Sequence, residues 1–280
     1  MKADIACIPC ILNFCLRTLN FCNVDTKQKE KLFREVIKEM ANFSLEQTPA
    51  ALADTATRII KDSTGIDDPY RDEKKRQNEM ALKLYPIMKE MVKHSENRIK
   101  TAITISAIGN IIDLGAQSDY NIENALQDLD RIRFAKSDLT DFLKNLEVSK
   151  TLLFIADNCG EIIFDRVFLE ELPGIKKFVA VKSGPFINDV TIQDIEGTGV
   201  EKIARIIETG TSNLEFNEED TSKEFKEIFN SADIIISKGH ANFEALHGRG
   251  KNIYFLLRAK CDVVSKVIGV KTGDFIFKRF

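Results

Sequence analysis

No stretch of this chain approaches the roughly 20 consecutive apolar residues that span a bilayer, and its first residues, Met1-Lys2-Ala3-Asp4, lack the build of a secretion signal. A helical membrane protein is excluded, and a cytoplasmic location with no membrane partner is expected. An excess of positive charge is missing too. The 40 Lys and Arg are outnumbered by 43 Asp and Glu and interleaved with them, for a formal net charge of -3. No basic surface for nucleic acid is therefore expected, while a small anion held by local charge stays open. Cysteines are few and uneven: Cys7, Cys10, Cys15 and Cys22 crowd the start, and only Cys159 and Cys261 follow. That spacing gives no disulfide framework, so reduced thiols are expected. The histidines His94, His240 and His247 form no metal-binding spacing. Internal repeats and low-complexity segments are absent, and the acidic run 215–220 reads as a solvated loop.

What is present can bury its own core, since hydrophobic residues make up 44% and charged residues 30% of the 280. Two periodicities divide the chain. Up to about residue 149, apolar side chains recur three and four apart, the helical spacing. Asp25 is placed to cap a helix through Leu32, Val36, Ile37 and Met40. Further helices are expected at about 48–62, 70–95, 97–116 and 137–146, with Gly65 and Pro69 breaking the pattern between two of them. In the segment 97–116, Ile99, Ala102, Ile103, Ser106, Asn110 and Asp113 share one face. The two polar residues that end the stripe, Asn110 and Asp113, mark either the helix's exit to solvent or the wall of a polar cleft.

From residue 150 the pattern changes to short apolar runs, Thr151–Ala156, Phe178–Lys182, Ala232–Ser237 and Asn252–Leu257, which read as buried strands. Helices are expected between them at about 161–172, 199–209, 221–230 and 260–268, with a last strand at Asp274–Phe280. This alternation predicts an α/β core, residues 150–280, with a largely parallel sheet covered by helices, preceded by an all-helical subdomain, residues 1–149.

In such a sheet ligands bind beyond the carboxyl ends of the strands. The first strand exits into Asp157-Asn158-Cys159-Gly160-Glu161 and the second into Ser183-Gly184-Pro185-Phe186-Ile187-Asn188-Asp189. The third exits into Lys238-Gly239-His240-Ala241-Asn242-Phe243-Glu244 and the fourth into Arg258-Ala259-Lys260-Cys261-Asp262. An Asp-Asn pair after a strand is by itself an ordinary turn or helix cap. Several such exits on one edge argue for a site. Asp157, Asn158 and Asp189 offer hard oxygen ligands suited to Mg²⁺ or Mn²⁺, with Co²⁺ or Ni²⁺ as alternatives. Lys238 adds a compact positive charge for phosphate oxygens. Gly-x-Gly-x-x-Gly is missing, which disfavours a dinucleotide site. Cys159 replaces the second acid of an Asp-x-Asp nucleophile motif, which makes metal-activated water the more economical nucleophile. Cys7-x-x-Cys10 has the spacing of half a metal knuckle or a redox pair, so a second metal there competes with plain buried thiols.

The chain resembles the damage-control phosphatase family, also known as domain of unknown function 89, and in particular its compact prokaryotic branch. The likeness rests on Cys7-x-x-Cys10, Gly109-Asn110-Ile111-Ile112-Asp113, Asp157-Asn158-x-Gly160-Glu161 with Asp165, and Gly184-Pro185-x-x-Asn188-Asp189-Val190-Thr191. Lys238-Gly239-x-Ala241-Asn242-Phe243-Glu244 and Lys260-Cys261 complete it. It implies a Rossmann-like three-layer α/β/α core and metal-dependent hydrolysis of small phosphorylated metabolites. It also implies that Asp157, Asn158 and Asp189 ligate the metal and Lys238 binds phosphate. Asn110 and Asp113 would line the cleft, and Glu161, Asn188, Asn242 and Glu244 become candidates for contacting the substrate or supporting the ligands. Two other readings remain: a non-catalytic module for a metal or phosphorylated ligand, and a carboxyl methyltransferase, for which no glycine-rich adenosylmethionine loop is found.

Overall fold

The computed structural model describes residues 1–111, 122–217, 219–249 and 253–280. Its first three helices, α1 (Cys7–Phe21), α2 (Thr26–Met40) and α3 (Pro49–Thr64), pack around Leu19, Val36, Ala56 and Ile60, each at most 1% exposed. Their starts are encoded locally. Asp25 accepts from the Gln28 amide at 2.8 Å and Thr48 from the Ala51 amide at 3.0 Å, each satisfying a donor that the first helical turn leaves over. Gly65, at φ 67°, ends α3 in the left-handed conformation.

Next come α4 (Arg71–Lys93), α5 (Arg98–Gly109) and α6 (Ile122–Gln127). The α/β part then runs β1 (Phe134–Ser137), α7 (Leu139–Val148), β2 (Thr151–Ile155), α8 (Glu161–Glu170), β3 (Lys176–Val181), β4 (Arg205–Glu208), α9 (Lys223–Ser231), β5 (Ile234–Lys238), α10 (His240–Leu246), β6 (Ile253–Arg258), α11 (Asp262–Ile268) and β7 (Phe275–Arg279). The strands form one sheet in the order β1-β7-β6-β5-β2-β3-β4, parallel throughout except for the antiparallel β6–β7 pair. Both faces of β2 are covered: Leu152 and Phe154 meet Phe142 and Phe168 of α7 and α8, while Leu153 and Ile155 share a core with Phe225, Phe243 and Val264 of α9, α10 and α11. Each such side chain, fully buried, stabilises the fold by about 1.5–3 kcal/mol before entropy is counted. This is a three-layer α/β/α architecture. No helix among the described residues is long and apolar enough to cross a membrane.

The sheet departs from the sequence reading at its two edges. The segment 199–209, expected as helix, is a single 3-10 turn, Val200–Lys202, followed by β4. Its β-branched pair Ile206-Ile207 lies against Val179 and Ala180 of β3, and that pairing outweighs a weak helical spacing. In the part read as all-helical, Phe134–Ser137 is a short edge strand with alternating burial, paired with β7. Four residues, half of them polar, carry little strand signal. The helix expected at 97–116 ends as α5 at Gly109, and it is buried on all sides from Ala102 to Gly109. Its sequence therefore lacks the one-sided stripe of a surface helix.

Candidate active site

The strand order reverses between β2 and β5: β2, β3 and β4 step outwards one way, and β5 returns to the other flank of β2. The crevice beyond the carboxyl ends of β2 and β5 is the topological switch point where such sheets bind ligands. Two glycines shape it. Gly160, at φ 75°, turns the chain from β2 into α8. Gly239, at φ 79° and ψ 173°, does the same after β5, and a Cβ built on it would fall 1.8 Å from Asp157 Oδ2. That backbone region is essentially glycine's alone, so the β5 exit leaves room for the Asp157 carboxylate only without a side chain.

The loop after β3 folds back to bring Asp189 to the same rim. The Cys159 amide donates to the Asn188 carbonyl at 2.8 Å and the Val190 amide to the Asp157 carbonyl at 2.9 Å, with Asn158 and Asp189 paired as an antiparallel bridge. This loop carries a strained residue, Ile187, at φ 43°. Packing on the helical part holds the strain: Phe186 stacks on Phe14 with ring centres 5.9 Å apart, and Lys61 Nζ donates to the Pro185 carbonyl at 2.6 Å.

Beneath the rim lies a buried polar network. Asn110, the residue that ends α5, donates to Asp157 Oδ2 at 3.2 Å and to Glu161 Oε1 at 3.1 Å, while its own oxygen accepts from the Arg258 amide at 3.1 Å. Asn158 Nδ2 donates to the same Asp157 oxygen at 2.8 Å and to Glu161 Oε2 at 3.2 Å. Lys238 Nζ lies 2.6 Å from both Glu161 Oε1 and Asp165 Oδ1, and 2.9 Å from the Ser106 carbonyl. Ser106 Oγ donates to Asp165 Oδ1 at 2.5 Å. Burial pushes the Asp165 carboxyl up to about 7, against the pull of Lys238 and with the help of Glu161. Burial works against the charge of Lys238, but Asp165 and Glu161 hold it above the ordinary lysine value.

The damage-control phosphatase ARMT1-like domain matches residues 3–276. A damage-control phosphatase of Archaeoglobus fulgidus is 33% identical over 99% of both chains, and one of Pyrococcus horikoshii is 30% identical over 100% of this chain and 98% of its own. The chain belongs to the damage-control phosphatase family. An uncharacterised protein of Methanocaldococcus jannaschii is 34% identical over 98% of this chain and 94% of its own. The crystal structure of a domain-of-unknown-function-89 protein from Pyrococcus horikoshii superposes with a TM-score of 0.89, at 29% identity, over 100% of this chain and 99% of that one.

Within this chain the expected residues are distributed unevenly. Asp157, Asn158, Asp189, Glu161, Asn110 and Lys238 gather at the switch point. Asn188 turns its side chain away, donating to Gln77 Oε1 of α4 at 3.1 Å. Asn242 braces the crevice floor, donating to the carbonyls of Ala156 and Lys238 at 3.0 and 2.9 Å. Glu244 lies near the other end of the chain: its carbonyl accepts from the Met1 amine at 2.8 Å, and its carboxylate is felt by Cys7 and Cys261. Asp113 lies outside the described residues. Cys7 is half-buried, its thiol pushed up by burial, and Cys10 is exposed. Among the described residues no three His, Cys, Asp or Glu side chains are placed to hold a metal ion. The rim's oxygen set is two carboxylates and one amide. Asn158 commits its nitrogen to Asp157 and Glu161, which turns its oxygen away from them. Sequence reasoning passed over Ser106 and Lys182. The latter stands in the sequence only as the last residue of the strand run Phe178–Lys182, yet it is 5% exposed, and burial holds its ammonium below the ordinary lysine value against the pull of Asp189, Asp54 and Asp157.

Proposed function

We propose that this chain hydrolyses phosphate monoesters of small metabolites, such as sugar phosphates or damaged phosphorylated cofactors, with a divalent cation held by Asp157, Asn158 and Asp189. The observation that carries this reading is the charge buried at the switch point. Four carboxylates, Asp157, Glu161, Asp165 and Asp189, stand at most 7% exposed against two ammonium groups, Lys182 and Lys238. Among these six groups the carboxylates outnumber the ammonium groups by two, or by one where Asp165, raised to about 7, keeps its proton, and carboxylates crowded on one rim favour a bound cation. A hard divalent cation on the rim's oxygens balances that excess, and Mg²⁺ or Mn²⁺, then Co²⁺ or Ni²⁺, fit that donor set. Bound there, the cation supplies Lewis-acid polarisation of a phosphoryl oxygen and a water made acidic at neutral pH.

The chain's own residues do the rest. Asn110 and Asn158 fix the Asp157 carboxylate by donating to its Oδ2, so the rim is organised before substrate arrives. The Asp157–Asp189 pair accepts the proton of the attacking water. Lys238 acts through Glu161: its protons are spent on Glu161, Asp165 and the Ser106 carbonyl. Direct contact between Lys238 and a phosphoryl oxygen would require one of these partners to give way. The test is phosphate release from a panel of sugar phosphates and phosphorylated cofactors, with each of the four cations and again with chelator. Cation-dependent release from at least one substrate is expected. Ligand binding without turnover across the panel would favour a non-catalytic module.

A further inference from the structure

Helix α4 turns polar side chains inwards where a packed helix ordinarily turns apolar ones. Lys74, Gln77 and Asn78 stand three and four residues apart, so they share one face, and Lys74 and Gln77 are only 2% and 3% exposed. Farther along, Ala81, Leu84 and Met88 make the usual apolar contact with the core. The polar stretch is the part of α4 that meets the loops of the site, and each member is used. Lys74 lies 2.7 Å from Asp68 and 2.9 Å from Asp194, and Gln77 Oε1 accepts from Asn188 Nδ2 at 3.1 Å. Asn78 Oδ1 accepts from the Gly160 amide at 2.6 Å, while its Nδ2 donates to the Asp194 carbonyl at 3.0 Å.

Asn78 thereby holds two strand exits with one side chain. Gly160 belongs to the turn that follows Asp157 and Asn158, and Asp194 closes the 3-10 turn Ile192–Asp194 that follows Asp189. Asp194 is fixed to its own loop, its Oδ2 accepting from the Thr191 amide at 2.9 Å and from Thr191 Oγ1 at 2.6 Å. The two exits also meet directly, through the Cys159 amide on the Asn188 carbonyl and the Val190 amide on the Asp157 carbonyl. Asn78 closes a ring around those contacts from the helical part. An asparagine carries an acceptor and a donor on one short planar group, which matches the amide that one loop presents and the carbonyl that the other does. Aspartate would lack the donor, and alanine both. The approach is close: a Cβ built on Gly160 would fall 3.1 Å from Gln77 Cβ, so the β2 exit runs directly against α4.

We propose that Asn78 is a positioning residue of this site, setting from α4 the spacing at which Asp157 and Asn158 face Asp189. This rests on the cation-dependent reading above. Asn78 touches neither cation nor substrate and acts through the Gly160 and Asp194 turns. Removing a group that orients metal ligands from behind costs about 10–100-fold in metal affinity or activity.

The test compares full-length wild type, Asn78→Ala and Tyr85→Phe, first without metal by amide hydrogen exchange read by NMR, then by calorimetric titration with Mn²⁺. Tyr85 is the control because its hydroxyl donates to Glu170 of α8 at 2.8 Å, another polar tie from α4 to the core, about 10 Å farther along the helix. Asn78→Ala is expected to speed exchange of the Cys159 and Val190 amides at least about tenfold and to weaken Mn²⁺ binding at least about tenfold. Tyr85→Phe is expected to lower the melting temperature and leave both readings within threefold of wild type. Either reading within threefold of wild type in Asn78→Ala overturns the proposal and makes Asn78 a structural tie like Tyr85. So do equal losses in the two variants, which would mean a general loosening. Where Asn78→Ala does not fold, Asn78→Asp takes its place: it keeps the acceptor for Gly160, loses the donor to Asp194, and is judged by the same two readings. A wild type that binds no Mn²⁺ would defeat the metal reading, and the exchange comparison would still decide this one.

Discussion

Replacing Gly239 by alanine tests the geometry of the site through a single methyl group. The added Cβ would lie 1.8 Å from Asp157 Oδ2 and 2.2 Å from its Cγ, so the carboxylate must retreat by more than about 1 Å to reach an ordinary contact distance. It cannot do so freely, because Asn110 and Asn158 both donate to that oxygen and the residue is 7% exposed. Misplacement by about 1 Å is worth about 100-fold in rate. The backbone adds its own cost: φ 79° and ψ 173° strain any residue with a Cβ by about 1–3 kcal/mol. That is affordable within a typical stability of about 5–15 kcal/mol. Gly239→Ala is therefore expected to fold, to melt several degrees lower, and to lose at least about 100-fold in cation-dependent phosphate release. Gly65→Ala is the control. It has the same sign of φ, 67°, but nothing within 4 Å of the new Cβ, so it should lose stability and keep activity. Gly239→Ala retaining activity within threefold of wild type would refute the claim that this opening exists to seat Asp157.

Burial holds the Glu244 carboxyl up to about 7 against an ordinary 4.5, with the Met1 amine opposing. The folded state then binds this proton more tightly than the unfolded state, a stabilisation complete below pH about 4.5 and lost as pH rises through about 7. Glu244→Gln removes the titration, so urea midpoints should show the variant gaining on wild type across that window by up to about 3 kcal/mol; parallel curves would refute this. Lys238→Met strips the charge from between Glu161 and Asp165, and its expected cost in denaturant unfolding is about 3–5 kcal/mol. Adding Asp165→Asn should recover a measurable part, since one of the two stranded carboxylates is then gone; simple additivity of the two changes would count against the network.

The centre of the sheet was legible because β2, β3, β5 and β6 are continuous apolar runs, the mark of strands covered on both faces. The edges were not, because β1 and β4 are four residues each and take their strand character from a partner distant in sequence. At the site, Asp157, Asn158 and Asp189 could be picked out because turning residues at several strand ends converge on one rim. The positions of Asn188, Asn242 and Glu244 follow from short-range geometry that a motif does not show. A chain reversal sends Asn188 to Gln77, and α10 carries Asn242 under the crevice while Glu244 faces the N-terminus. The charge of Lys238 was visible in the sequence, but its partners were not. Ser106 and Asp165 stand 59 residues apart, and only the packing of α5 on α8 joins them. Lys182 escaped notice because it stood only as the last residue of an apolar strand run, where its burial and its partner Asn213 do not show.

The most direct test of the central claim is a calorimetric titration of Mn²⁺ into chelator-stripped protein, wild type beside Asp157→Asn. The charge excess at the switch point predicts one tight site per chain in the wild type. It predicts loss of at least about 100-fold in affinity, about 2.7 kcal/mol, in the variant, with the fold retained by circular dichroism. Wild-type protein that binds no divalent cation, or binding unchanged by the substitution, would contradict it.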